Sequence, residues 1–197
     1  MANALLVIAH PVKTSLAHLF AGLIFTTLQS RGIAVDWLDL YEEKFVPALT
    51  NAERSNYYTA DPELTLIGDY AQRLQCADTL ILVFPTWWFG LPAILKGWID
   101  RTFAPSIAYD HAKDLSSIKP RLTNLKSVLV ITTLGSPSWV DWLVMRRPVR
   151  RVLKTAIFGI CAPQAKFAML SLYSAEKLEL PQIDLFKSKI LKAIARQ

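Results

Sequence analysis

Short runs of almost unbroken apolar residues recur along this chain, and most are followed by a stretch with helical spacing. "NALLVIA" at 3–9, "TLILVF" at 79–84 and "SVLVITT" at 127–133 carry hardly a polar side chain between them. A strand that is apolar on both faces is at home only where both faces are covered, as in a parallel sheet flanked by helices. The intervening segments supply the cover. Leu16, Leu19, Phe20, Leu23, Ile24 and Leu28 recur at spacings of three and four, predicting a helix over 15–31 that Gly32 stops. "IAVDWLD" at 33–39 alternates as a strand does, and "AKFAMLSL" at 165–172 is a fifth strand. Helices are expected over 62–75, beginning near Pro62, over 92–103, somewhere within 138–158, and over 174–195. Segments 41–61 and 104–125 are polar and expected to be irregular. Such alternation means parallel strands joined by right-handed crossovers. Five of them predict an α/β fold with sheet order 2-1-3-4-5 and helices on both faces, formed by residues 1–197 as a single domain.

Composition narrows the class. A chain of 197 residues is long enough for one domain of roughly 150–200 residues with a substantial core. Hydrophobic residues are 52% and charged residues 19%, an apolar balance that fits a protein burying a subunit interface as well as a core. No apolar run approaches the roughly 18–20 residues of a spanning helix, and "MANALLVIAHP" has no basic region ahead of its short apolar run. A cytoplasmic location is expected. Cys76 and Cys161 are too few and too far apart for a disulfide framework or a metal site. The net charge is +6, partly from Arg146, Arg147, Arg150, Arg151 and Lys154 in "MRRPVRRVLK". That run is read first as a solvated helix face. Nucleic-acid binding is not expected, since no zinc spacing or recognition helix accompanies it.

In a sheet of this order ligands bind beyond the carboxyl ends of the strands, where strands 1 and 3 diverge. Three loops lie there. "HPVKTSLAH" opens a helix with Thr14 and Ser15, where hydroxyls and free amides make an anion site, with His10 or Lys13 adding charge. Taken alone, Thr14 or Ser15 is as well explained as an ordinary helix cap. "VFPTWWFGLP" ends the third strand in three aromatics fenced by prolines and a glycine, a core plug or subunit contact if it is not a binding wall. "TTLGSPSW" offers the hydroxyls of Thr132 and Thr133 and the amide of Gly135, or is a simple turn. Together the three describe a phosphate socket, an aromatic wall and donors for a flat polar ring, which is a flavin mononucleotide site.

These segments resemble the flavodoxin-like NAD(P)H:quinone oxidoreductases, a family that includes the ancillary oxidoreductases of potassium efflux systems and the modulators of drug activity. The likeness runs from "VIAHPVKTSLAH" through "VFPTWWFGLPAILKGWIDRTF" to "ITTLGS", and the middle motif is the specific one. The resemblance implies a flavodoxin-like fold, non-covalent FMN or FAD, ping-pong hydride transfer from NAD(P)H to a quinone, and a homodimer with its site at the interface. It implies flavin contacts from His10, Ser15, Leu16 and Ala17, from Pro85, Thr86, Trp87, Trp88 and Phe89, and from Thr132, Thr133, Leu134 and Gly135. Trp88, Phe89 and Trp139 are expected as pocket walls, with Trp142 and Arg146 as further candidates, and with no covalent catalyst. The chain is shorter than the FAD-binding members, which favours FMN. Leu134 stands where the family often has glycine, so a different local turn is expected. The stretch after that loop, "SPSWVDWLVMRR", lacks the tyrosine and histidine of the animal enzymes. Lys96, Asp100 and Arg101 are expected to be structural, and Trp98 or Phe103 to lie near a dimer interface. The alternative is a flavoprotein that regulates a membrane transporter. Peripheral membrane contact through Trp139, Trp142 and the adjacent arginines is not favoured, because Pro148 interrupts the helix and no lipid anchor accompanies it.

Overall fold

A computed structural model describes residues 3–58, 65–112 and 117–196. Its central sheet has five parallel strands: β1 (Asn3–Ile8), β2 (Ala34–Asp39), β3 (Thr79–Pro85), β6 (Ser127–Thr133) and β7 (Lys166–Leu172). Their order is β2-β1-β3-β6-β7, the expected 2-1-3-4-5. The apolar runs alternate faces with the period of two that a strand imposes. Leu5, Val7, Leu80, Leu82, Phe84, Val128 and Val130 join one core cluster, and Leu6, Ile8, Ile81, Val83, Leu129 and Ile131 join the other. The second face is covered by α1 (Leu16–Gln29) and α7 (Leu180–Ile194), which contribute Phe20, Ile24, Phe186 and Ile190. The first is covered by α3 (Gly68–Cys76), α4 (Ala93–Thr102) and the helical segment from Pro148 to Cys161.

Several elements depart from the sequence reading. The expected helix start at Pro62 lies outside the described residues, and α3 begins at Gly68. The 41–61 excursion contains a short helix, α2 (Asn51–Ser55), closed by a Thr50–Glu53 capping box whose T-x-x-E signature is in the sequence. The 104–125 excursion contains an antiparallel pair, β4 (Tyr109–His111) and β5 (Ile118–Pro120), whose three-residue strands are too short to show a period. The helix expected within 138–158 is broken. A π-helical turn covers Val140–Val144, Arg146 and Arg147 both take positive φ (55° and 53°), and α5 (Pro148–Arg151) restarts with proline in its first turn. A second π-helical stretch (Val152–Phe158) and α6 (Gly159–Cys161) complete it. A 3-10 turn at Ala175–Lys177 precedes α7.

Trp98 is fully buried and packs edge-on against Phe103, which is buried too, so both are core residues in the chain itself and not surface anchors. Arg101 departs from local pairing. Lys96 bonds Asp100 one turn away, whereas the Arg101 guanidinium reaches across to buried Glu53 at 2.6 and 2.9 Å and donates to the Val46 carbonyl. That buried pair pins the 45–58 segment onto α4.

Candidate functional site

β1, β3 and β6 end side by side, with Ile8 paired to Val83 and Pro85 to Thr133. The Thr86 amide donates to the Thr133 carbonyl at 2.8 Å, and the Thr86 and Thr132 hydroxyls share a hydrogen bond of 2.7 Å. The loops that leave these strands are therefore fixed relative to one another by the sheet.

The aromatic loop is a tight turn. Gly90 N–H donates to the Trp87 carbonyl at 2.9 Å, and the two central residues, Trp88 and Phe89, have φ of 49° and 54°. This is the type I′ arrangement, normally reserved for Asn and Gly. Bulky residues held there are strained by about 1–3 kcal/mol each, and such strain gathers at functional positions. Trp88 recovers none of it by burial, being 99% exposed, while Trp87 is exposed and Phe89 half-buried. The turn holds an indole out in solvent and leaves backbone donors unspent. Trp87 and Gly90 face each other as a bridged pair, so among the described residues it is the amides of Trp88 and Phe89 that donate to no other group of the chain. Replacing Trp88 by asparagine, which tolerates this conformation, is expected to raise the stability of the cofactor-free protein by about 1 kcal/mol. Urea melts of the two proteins check it, and a lower midpoint for the variant would show that the turn is unstrained.

Opposite lies the β6 loop. A cleft of about 520 Å³ is lined by Pro85, Thr86, Trp87, Trp88, Thr133 and Gly135, with Ala175 and Glu176 closing a third side. Phe89, Leu134 and Ser136 line an adjoining cleft that shares Thr86, Trp88, Gly135 and Glu176. Leu134 avoids the left-handed backbone that a leucine disfavours. Its φ and that of Gly135 are both ordinary, its side chain is buried, and its amide donates to Leu172 at 2.8 Å. A Cβ at 135 would stand 3.1 Å from Glu176 Oε1, a tight contact that this flexible carboxylate can relieve by moving slightly.

The β1–α1 loop brings the third set of donors. Ser15 caps α1, and its hydroxyl accepts from the His18 amide. The amides of Leu16 and Ala17, the first two of the helix, have no partner among the described residues, as the geometry of a helix start dictates. His10 Nδ1 accepts from the Val12 amide at 3.0 Å, which leaves the ring proton on Nε2, and burial pushes the pKa of this imidazole down. His10 also stands 6.1 Å, centroid to centroid, from Trp87, so the phosphate-loop candidate and the aromatic turn adjoin. Lys13 is not free to add charge. Its ammonium bonds Asp39 at 2.6 Å and Glu42 at 2.7 Å, and these carboxylates push its pKa up.

The structure thus gathers the candidates on the three loops at one edge of the sheet, with two qualifications. Thr132 is buried in its strand, its hydroxyl tied to Thr86. Trp139 is exposed and lines neither cleft. The sequence reading missed the loop after β7. Glu176 lines both clefts, and Tyr173 donates to Asp141 Oδ2 at 2.8 Å while accepting from Trp142 Nε1 at 3.0 Å. A tyrosine therefore reaches the region where none was expected, from a different strand. The rule that ligands gather at carboxyl strand ends would have found it, had it been applied to strand five. The basic run is only partly a solvated face. Arg147 stacks on Trp142 at 4.3 Å and Arg150 on Phe167 at 5.4 Å, while Arg146 and Arg151 are exposed.

Comparison with known proteins agrees with the architecture. A family profile described as having a flavodoxin-like fold matches residues 2–164. NAD(P)H dehydrogenase (quinone) 1 of Cavia porcellus is 38% identical over 152 residues, covering 69% of this chain and 54% of that protein. The chain thus spans about half the length of that relative. Ribosyldihydronicotinamide dehydrogenase (quinone) of Pongo abelii is 34% identical over 190 residues, covering 84% of this chain and 81% of that protein. The crystal structure of Smu.1420 from Streptococcus mutans UA159 superposes with a TM-score of 0.85 at 31% identity, over 99% of this chain and 100% of that one.

Proposed function

The chain belongs to the flavodoxin-like NAD(P)H:quinone oxidoreductase family, and on that premise we propose that it is a flavin-dependent oxidoreductase of the cytoplasm that passes electrons from NAD(P)H to a quinone or similar flat acceptor. The observation that carries this reading is the placement of unspent amides at Trp88 and Phe89 across a cleft from the Thr133–Gly135 loop.

The residues present fit FMN. The strained turn leaves the amides of Trp88 and Phe89 free and presents an aromatic wall. It suits the polar edge and the apolar face of an isoalloxazine. When bound, the flavin would supply the centre that takes up and returns a hydride. The chain does the rest. The free amides of Leu16 and Ala17, the Ser15 hydroxyl and the dipole of α1 would hold the phosphate, with the Nε2 proton of His10 as an additional donor. Thr86 and Gly135 would orient the ring, and the fixed N–H dipoles of the aromatic turn would face the charge that develops on reduction. Trp88 and Phe89 would wall the space into which donor and acceptor enter in turn, a ping-pong arrangement. We read the exposed Trp88, Trp139, Trp142 and Leu143 as the contact face of a homodimer, since so many large apolar side chains are rarely left to water.

Reconstitution tests the reading. FMN added to the purified protein is expected to show a perturbed spectrum and quenched fluorescence at micromolar concentration. The holoprotein is expected to reduce a soluble quinone with NADH or NADPH, and to sediment as a dimer. Failure to bind either FMN or FAD would remove the central claim.

A further inference from the structure

The cap of α1 sits at the end of a hydrogen-bonded chain that begins on a different strand. Asp39, the last residue of β2, is 1% exposed. Its Oδ1 accepts from the amides of Tyr41 and Glu42, at 3.1 and 3.2 Å, and its Oδ2 from Lys13 Nζ at 2.6 Å. Burial would raise this carboxyl's pKa, but the bonds from Lys13 and His18 outweigh it and hold the pKa below the usual range. Asp39 is therefore a carboxylate and accepts only. His18 Nε2, 2.9 Å from Asp39 Oδ2, must carry a proton. The other ring nitrogen, Nδ1, lies 3.1 Å from Ser15 Oγ.

That last hydrogen bond has two possible directions. With His18 neutral, Nδ1 is a lone pair and Ser15 spends its hydroxyl proton on the ring. With His18 charged, Nδ1–H donates to Ser15 Oγ, and the serine proton is released toward the open end of the helix. An oxyanion at the α1 amides needs that proton. The charged and titratable groups facing His18 are few. Asp39 at the end of β2 and, beyond it, Lys13 and Glu42 form one linked network. His10 at the end of β1 lies 6.4 Å away, ring to ring, and its Nδ1 is committed to the Val12 amide. His18 is thus the imidazole that already has a carboxylate partner to receive it as a cation.

We propose that Asp39 and His18 form a relay that takes up one proton when a phosphate-bearing ligand binds at the start of α1, turning the Ser15 hydroxyl from the ring to the ligand. His18 is a positioning residue, acting through Ser15, and it couples retention of a phosphorylated flavin to the uptake of a proton. The proposal rests on the flavin reading above and adds a proton to it. It separates FMN from riboflavin, which has the same ring and no phosphate.

Titration calorimetry at pH 7.5, in buffers of different ionisation enthalpy, reads the proton directly. FMN is expected to take up close to one proton more than riboflavin does. Between pH 8.5 and 7 the preference for FMN over riboflavin is expected to rise several-fold, up to about tenfold per pH unit for one linked proton. His18→Phe is expected to flatten that rise and abolish the extra uptake. Because the unmodified protein gives the first readout, a variant that folds poorly does not decide the matter. Equal proton uptake for both ligands overturns the proposal. So does uptake that survives in His18→Phe and disappears in His10→Phe, which would assign the proton to His10. Failure to bind FMN and riboflavin alike overturns the proposal together with the reading it rests on. Binding of both with one pH dependence overturns the relay alone.

Discussion

Replacing Arg101 by methionine is expected to destabilise the protein by about 3–5 kcal/mol at neutral pH, because it strands a buried carboxylate. Arg101 and Glu53 are both at least nine-tenths buried, and Glu53 Oε1 receives two bonds from the guanidinium. Burial alone would raise the Glu53 pKa. The bonds from Arg101 and Thr50 hold it below the usual carboxylate range instead. A depressed carboxyl stabilises the fold above its unfolded pKa, and that contribution is lost as pH falls through the lower folded value. In Arg101→Met the sign reverses. Unpaired burial raises the Glu53 pKa, so the variant loses stability as pH rises and regains part of it where Glu53 is protonated. Urea melts of both proteins at pH 7 and pH 4 are expected to show a gap that narrows in acid. A gap of constant size would mean that Arg101 acts through packing on Phe45, 5.3 Å below it, and not through charge. Arg101→Met with Glu53→Met is expected to recover most of the loss, since apolar groups of similar volume can replace a buried ion pair at little cost.

The second large effect is expected one turn earlier on the same helix. In an isolated helix, alanine in place of glycine is worth about 1 kcal/mol. At position 97 it is expected to cost about 3 kcal/mol instead, a typical upper value for forcing an atom into a filled space. A Cβ on Gly97 would fall inside the contact shell of the Pro47 carbonyl oxygen, Cα and Cβ. Backbone and a proline ring cannot swing aside as a flexible side chain can. For a chain of this length the melting temperature should drop by roughly 6–12 °C. A rise in melting temperature, as helix propensity predicts, would show that the 45–50 segment can lift from α4. Gly97 and Arg101 hold the same stretch, at Pro47 and Val46, so the double variant is expected to lose less than the sum of the two. The segment they hold follows β2, and the helix they hold it to follows the aromatic turn. A loosened dock therefore reaches the candidate site from two sides.

Much of this was legible in the chain itself. Runs such as "TLILVF" and "SVLVITT" can be stable only when buried on both faces, and their alternation with helices leaves few topologies, so the sheet order followed from physical chemistry alone. The boundaries were sharp where a local signal was strong, as at Ser15 capping α1 and at 127–133, which forms β6 as expected. The same topology brings the three loops together at one edge of the sheet. Other features depend on contacts between residues far apart in sequence, and no local pattern announces them. Glycine at 97 is an ordinary weak helix residue until Pro47 is laid across it, and Arg101 looks like a partner for its own helix until Glu53 comes within 2.6 Å. Positive φ at Trp88 and Phe89 contradicts what those side chains prefer, so only the surrounding fold can impose it. His18 and Asp39 lie 21 positions apart and meet at 2.9 Å because β1 and β2 are neighbours in the sheet. The sequence by itself determined the layers and the edge at which a ligand is held, because periodicity and burial are local and additive. The tertiary structure alone decided which polar groups meet there and in what state of charge, because hydrogen bonds and buried charges depend on distances that only the packed chain sets.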